Sequence, residues 1–150
     1  MPEPLTESIP EPNVSTIARR GEYMIKVADC AGCHTPRGDK GEPLAGMAYA
    51  GGNPFDDGKG GAVTPMNLTP DATGISYYDE ALFVRAIRTG HVGARQLSPH
   101  MPWWVYKNMT DEDLKSIFAY LRTIKPVTNR VGAARRPPHP DRETYGRRHR

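Results

Sequence analysis

The run Cys30-Ala31-Gly32-Cys33-His34 constrains this chain more than any other segment, because it holds both cysteines of the protein and a histidine directly after the second. On a helical turn, residues 30, 33 and 34 fall within roughly 100° of one face, so two thiols and an imidazole can address one flat partner. Thiols at this spacing suit thioether bonds to the two vinyl groups of a haem, and the next side chain reaches the iron; this is the attachment sequence of a c-type haem. A disulfide across two intervening residues would close almost no loop and would be a poor staple. A thioredoxin-like redox pair would need a βαβ pattern around it, and none is visible. A zinc site would need a further Cys or a well-spaced His partner, and no second Cys pair exists. The expectation is one covalent haem c on Cys30 and Cys33, with His34 as an iron ligand.

With 150 residues, the chain is sized for one domain, and its ends shrink that further. Three Glu and four Pro crowd positions 2 to 12, while residues 130–150 hold seven Arg, two His and three Pro. The predicted organisation is an extended N-terminal arm over 1–14, a compact domain over 15–130 and a basic Pro/Arg-rich tail over 131–150. A core of that size is modest, so a buried haem would fill much of it. The net charge of +3 conceals an asymmetry: residues 130–150 carry +5 and the remainder −2. A basic tail can mark nucleic-acid binding, but the rest of the chain lacks a basic stripe with interleaved aromatics, so no nucleic acid is expected. Docking on an acidic protein patch or an anionic lipid surface is more economical, the alternative being a solvated tail that only aids solubility. No apolar run approaches the roughly 18 residues of a membrane span.

Three helices are predicted. The first covers about 15–28, capped by Ser15, with Ile17, Gly21, Met24, Ile25 and Ala28 at helical spacing. The second covers about 79–89, capped by Ser76 or Asp79 and stopped by Gly90, with Leu82, Phe83, Ala86 and Ile87 on its apolar face. The third opens on the capping-box-like Thr110-Asp111-Glu112-Asp113, whose acids suit the helix dipole. Leu114, Ile117, Phe118 and Leu121 then mark one face, and Pro126 lies beyond its end. Between the first two helices, residues 35–75 are rich in Gly and Pro, with no strand alternation and no repeat. A loop of that length makes sense if it wraps a large ligand.

Haem iron needs a sixth partner or an open position. Downstream candidates are Met47, Met66, His91, His100, Met101 and Met109. Met101 stands in Pro99-His100-Met101-Pro102-Trp103-Trp104, where flanking prolines stiffen the backbone and direct a soft sulfur.

The order of a helix, Cys-x-x-Cys-His, a long glycine-rich loop, a Met-Pro segment and a C-terminal helix resembles the class I c-type cytochromes. The likeness is closest to the monohaem modules of bacterial periplasmic dehydrogenases. It is carried by Asp29 to Pro36, Asn67-Leu68-Thr69-Pro70-Asp71, Thr73-Gly74-Ile75, Phe83 to Gly90, Met101-Pro102-Trp103 and Met109 to Leu121, and covers roughly residues 15 to 130. It implies a small all-α fold whose first and last helices cross around the haem, with Gly21 and Ile25 against Phe118 and Leu121. It also implies His34 below the iron and Met101 above. Residue 100 departs from the pattern, being His where a small residue or Pro is usual, so a His34/His100 pair stays open, as does Met66. His91 reads as a surface histidine after Gly90, and His139 and His149 as solvated. Pro43 is placed to offer its carbonyl to the His34 Nδ1 hydrogen, fixing the tautomer, or is a plain turn proline. Trp103, Trp104 and Tyr49 line the pocket or serve as core aromatics, and Arg95 pairs with a haem propionate or stays solvated.

A haem closed on both axial faces has no place for substrate and can still exchange one electron. The expected function is one-electron transfer between a redox-protein donor and acceptor, as a shuttle or as a subunit of a redox assembly, and not catalysis. The rival readings are a haem enzyme or ligand-binding protein with a labile sixth ligand, and a structural component of a cytochrome oligomer. The start shows neither a positive n-region nor an apolar h-region. Because haem is attached to such motifs outside the bacterial inner membrane or in equivalent compartments, the resemblance implies a periplasmic or otherwise exported protein, numbered here as a processed or recombinant chain. The acidic N-terminus and basic C-terminus also permit head-to-tail association of copies or docking on two partners.

Overall fold

The computed structural model describes residues 8–131. Residues 8–14 of the predicted arm form no helix or strand and are exposed, and the tail expected over 131–150 lies outside the described residues except for Val131. The first helix, α1 (Ile17–Val27), is capped by Thr16, whose side chain accepts from the Arg19 amide at 3.2 Å. Ser15, the expected cap, instead bonds Asn13 through both its amide and its hydroxyl. A one-turn helix, α2 (Cys30–His34), follows at once, entered through Asp29 in the left-handed region at φ 48°. Two-residue strands β1 (Phe55–Asp56) and β2 (Ala62–Val63) then pair antiparallel, Phe55 opposite Val63.

Helix α3 (Glu80–Thr89) begins at Asp79, which accepts from the Leu82 amide at 2.7 Å, and ends at Gly90 with φ 68°. Of the two caps left open for this helix, Asp79 is the one used. A second hairpin joins β3 (His91–Val92) to β4 (Arg95–Gln96). A short helix, α4 (Trp103–Tyr106), leads to α5 (Asp111–Leu121). The Thr110 side chain caps α5, accepting from the Asp113 amide at 3.1 Å and donating to its carboxylate at 2.7 Å. The described chain is thus helix-rich. The four strands escaped the sequence reading because two residues offer no alternation to see.

Helix α1 packs on α5, which in turn packs on α3. Ile25, Leu114 and Leu121 are fully buried between them, with Phe83 against Phe118 at a centroid distance of 5.4 Å. Each such side chain contributes about 1.5–3 kcal/mol relative to an exposed one. Gly21 meets Ser116 and Tyr120, the positions beside the Phe118 and Leu121 expected: a Cβ at Gly21 would stand 2.5 Å from the Ser116 carbonyl carbon. Arg20 grips Asp113 through Nε at 3.0 Å and Nη2 at 2.7 Å at the edge of this contact.

Candidate functional site

The motif turn opens onto a cavity of about 240 Å³. Its wall takes Cys30, Cys33 and His34 from α2, Phe83, Ala86 and Ile87 from α3, and Leu114, Ile117 and Leu121 from α5. Val63 and Phe55 of the first hairpin, Val92 and Arg95 of the second, and Met101 and Tyr106 are also part of it. The wall is mainly apolar, which suits a large flat ring and not a hydrated substrate.

Both thiols are free and partly buried. Burial, with Asp29 alongside, pushes the Cys30 thiol up to about 12, so it stays protonated. His34 is buried, and burial holds its imidazolium below the usual histidine range despite the opposing bond to Met66. The ring is therefore neutral. Its Nδ1 lies 2.7 Å from the Met66 carbonyl oxygen; a carbonyl only accepts, so Nδ1 carries the proton and Nε2 keeps its lone pair for a metal. This geometry corrects the expectation for Pro43. Pro43 is exposed and bridges to Arg37, because the turn closed by Gly38 and Glu42 carries it outward.

Met101 is half-buried on the wall, in a tight turn where its amide donates to Ser98 and its carbonyl accepts from Trp103. Met66, Met109 and His100 also reach the wall, whereas Met47 and His91 do not. His100 is exposed, 3.2 Å from the Ser98 hydroxyl, and His91 bonds the Thr89 carbonyl from the surface. Met66 already serves His34 from behind the ring through its carbonyl. Arg95 stands on the wall, partly buried.

Trp103 is not on the wall. Its ring lies against Gly90, where an added Cβ would fall 2.6 Å from the indole Cδ2, so the glycine makes the slot that draws it away. Its Nε1 is buried with no hydrogen-bond partner among the described residues, an uncommitted donor beside the Met101 turn. Trp104 is exposed, and Tyr49 belongs to the core, edge-on to Tyr120. Tyr106 was not foreseen. It lines the cavity and donates its hydroxyl to the Ala28 carbonyl at 2.7 Å, tying α4 to the approach to Cys30, and no local sequence signal announces that.

Residues 17–121 match the family described as cytochrome C oxidase, cbb3-type, subunit III. The chain belongs to this cytochrome c family. It is 41% identical over 128 residues to the fructose dehydrogenase cytochrome subunit of Gluconobacter japonicus, covering 83% of this chain and 24% of that protein. It is 35% identical over 116 residues to an alcohol dehydrogenase (quinone), cytochrome c subunit of Gluconacetobacter polyoxogenes, covering 75% and 23%. The gluconate 2-dehydrogenase cytochrome c subunit of Pantoea cypripedii is 35% identical over 114 residues, covering 74% and 24%. The chain thus spans about a quarter of the length of these curated relatives.

Membership in the cytochrome c family implies haem c, and the site's chemistry fits it. Two thiols, a neutral imidazole with Nε2 uncommitted and a thioether share one apolar cavity, with an arginine on its wall. Among the described residues, no helix is long and apolar enough to cross a membrane.

Proposed function

We propose that this cytochrome domain transfers single electrons through one haem c, held covalently by Cys30 and Cys33 and ligated by His34 and Met101. The observation that carries this reading is the convergence of these four side chains on one cavity, with the His34 Nδ1 proton committed to Met66. The haem supplies reversible one-electron exchange at iron. The protein's residues supply the rest. His34 is presented neutral, the Met101 turn directs the thioether, Arg95 offers charge to a propionate, and the apolar wall excludes water, which limits reorganisation. Methionine in place of a second histidine raises the potential, placing the module toward the oxidising side of a respiratory chain.

The domain over 15–130, with its first and last helices crossing in the class I manner, would work as the electron-transfer part of an exported, periplasmic dehydrogenase assembly. It would receive electrons from one redox protein and pass them to another. The relatives named as dehydrogenase cytochrome subunits support that setting. Intact mass of the matured protein is expected to exceed the chain mass by one haem and to keep that increment on denaturation. Replacing both cysteines by alanine abolishes it. A wild-type chain without the increment would overturn the reading.

The acidic start and basic tail are proposed as interaction arms. Exposed ion pairs are worth at most about 1 kcal/mol each, so contacts by Pro137, Pro138 and Tyr145 would have to add to them. Deleting residues 131–150 is expected to leave the haem spectrum intact and to weaken association in sedimentation, most at low salt where charges are least screened. Loss of the fold on deletion would assign the tail to the core instead.

A further inference from the structure

Asn67 is fully buried yet belongs to no helix or strand. A buried amide is costly unless satisfied, and this one is satisfied on both sides. Its Oδ1 accepts from the Thr69 amide at 2.9 Å and hydroxyl at 2.8 Å. Its Nδ2 donates to Thr73 Oγ1 at 3.1 Å and to the Val127 carbonyl at 2.7 Å. Thr73 Oγ1 in turn accepts from the Asn129 amide at 2.9 Å, and Asn129 Nδ2 donates to the Ala50 carbonyl at 3.0 Å. The segment 127–129, which follows α5, is thereby fastened across the two loops around residues 50 and 70.

Those loops are the ones that hold His34. Gly51 donates its amide to the His34 carbonyl at 2.6 Å, and the Met66 carbonyl accepts from the His34 Nδ1 at 2.7 Å. The loops also touch each other: Gly51 has φ +73°, and a Cβ there would lie 2.6 Å from the Met66 carbonyl carbon. The Met66 carbonyl and the Asn67 amide nitrogen share one planar peptide unit, so the carbonyl's aim follows from how Asn67 is held.

We infer that Asn67 is a positioning residue that aims the Met66 carbonyl at His34 and thereby sets how strongly the imidazole donates to iron; this rests on the haem reading above. A firm acceptor at Nδ1 raises the basicity of the ligand and favours ferric iron. Loosening it favours ferrous.

The test is the reduction potential of the holoprotein, measured with the solvent exchange of the His34 Nδ1 proton by NMR. Outer partners of metal ligands typically matter by 10–100-fold. Asn67→Ala is expected to raise the ferrous-to-ferric ratio at fixed poise about tenfold, which is 59 mV for one electron. Exchange of the Nδ1 proton quickens with it. Thr73→Val moves both readouts the same way by less, and Thr73→Ser restores them. Ile25→Ala, a buried core change off the cavity wall, lowers the melting temperature without moving the potential. If Asn67→Ala behaves like Ile25→Ala, Asn67 only packs and the inference fails. Should Asn67→Ala not fold, the Thr73 pair decides alone: equal potentials for Val and Ser overturn it. A wild-type protein without haem would sink the underlying reading instead, and intact mass shows that separately.

Discussion

Met101→Ala is expected to lower the reduction potential by on the order of 0.1 V, a fraction of the roughly 0.8 V that axial ligands command, and to open the iron to carbon monoxide. Met101 sits on the cavity wall in a turn closed by backbone bonds to Ser98 and Trp103, which fix the backbone that carries its thioether. Met66 reaches the same wall, and its carbonyl bond to the His34 ring sets its backbone beside that imidazole. His100 is exposed and tethered to Ser98. Carbon monoxide difference spectra and potentiometric titration of the holoprotein check the assignment. Wild type is expected to bind no carbon monoxide. If Met66→Ala or His100→Ala opens the iron while Met101→Ala leaves it closed, the ligand assignment is wrong.

Gly21→Ala is expected to cost about 2–3 kcal/mol, at the upper end of the usual range for overpacking. On most helices this substitution gains up to about 1 kcal/mol from propensity. Here the new methyl would enter the space of the Ser116 carbonyl and lie 2.9 Å from Tyr120 Cβ, both on α5. Backbone cannot yield as a side-chain tip can, so α1 must lift from α5 and expose Ile25 and Leu121. For a domain this size the melting temperature is expected to fall by roughly 10 °C. Gly41→Ala is the contrast: φ is +82° but nothing lies within 4 Å, so only the left-handed cost of about 1–2 kcal/mol applies. Thermal unfolding that ranks Gly41→Ala as the worse of the two would contradict the packing argument.

How much of this was legible beforehand depends on whether the information is local. The turn carrying Cys30, Cys33 and His34 is chemistry written in adjacent residues, and the structure places all three on one wall. Helices α3 and α5 were readable because Asp79 and Thr110 cap them and Phe83, Ile87, Leu114, Ile117 and Leu121 recur at helical spacing. The cap of α1 moved from Ser15 to Thr16, since two adjacent hydroxyls compete and only one meets the Arg19 amide.

The acceptor for His34 was not legible, because every residue carries a carbonyl and no side-chain type marks the one that will face a given ring. Tertiary structure chose Met66 over Pro43 by packing the loop around Gly51 against residues 65–69. Trp103 left the cavity wall because Gly90, thirteen positions earlier, opens a slot for its ring, a fit that neither residue's neighbours encode. The sequence alone determined which groups could bind a haem and where helices would start and stop, since thiol spacing, capping and periodicity act over a few residues. The tertiary structure decided which carbonyl serves His34, since that choice depends on loops brought together from 30 or more residues apart.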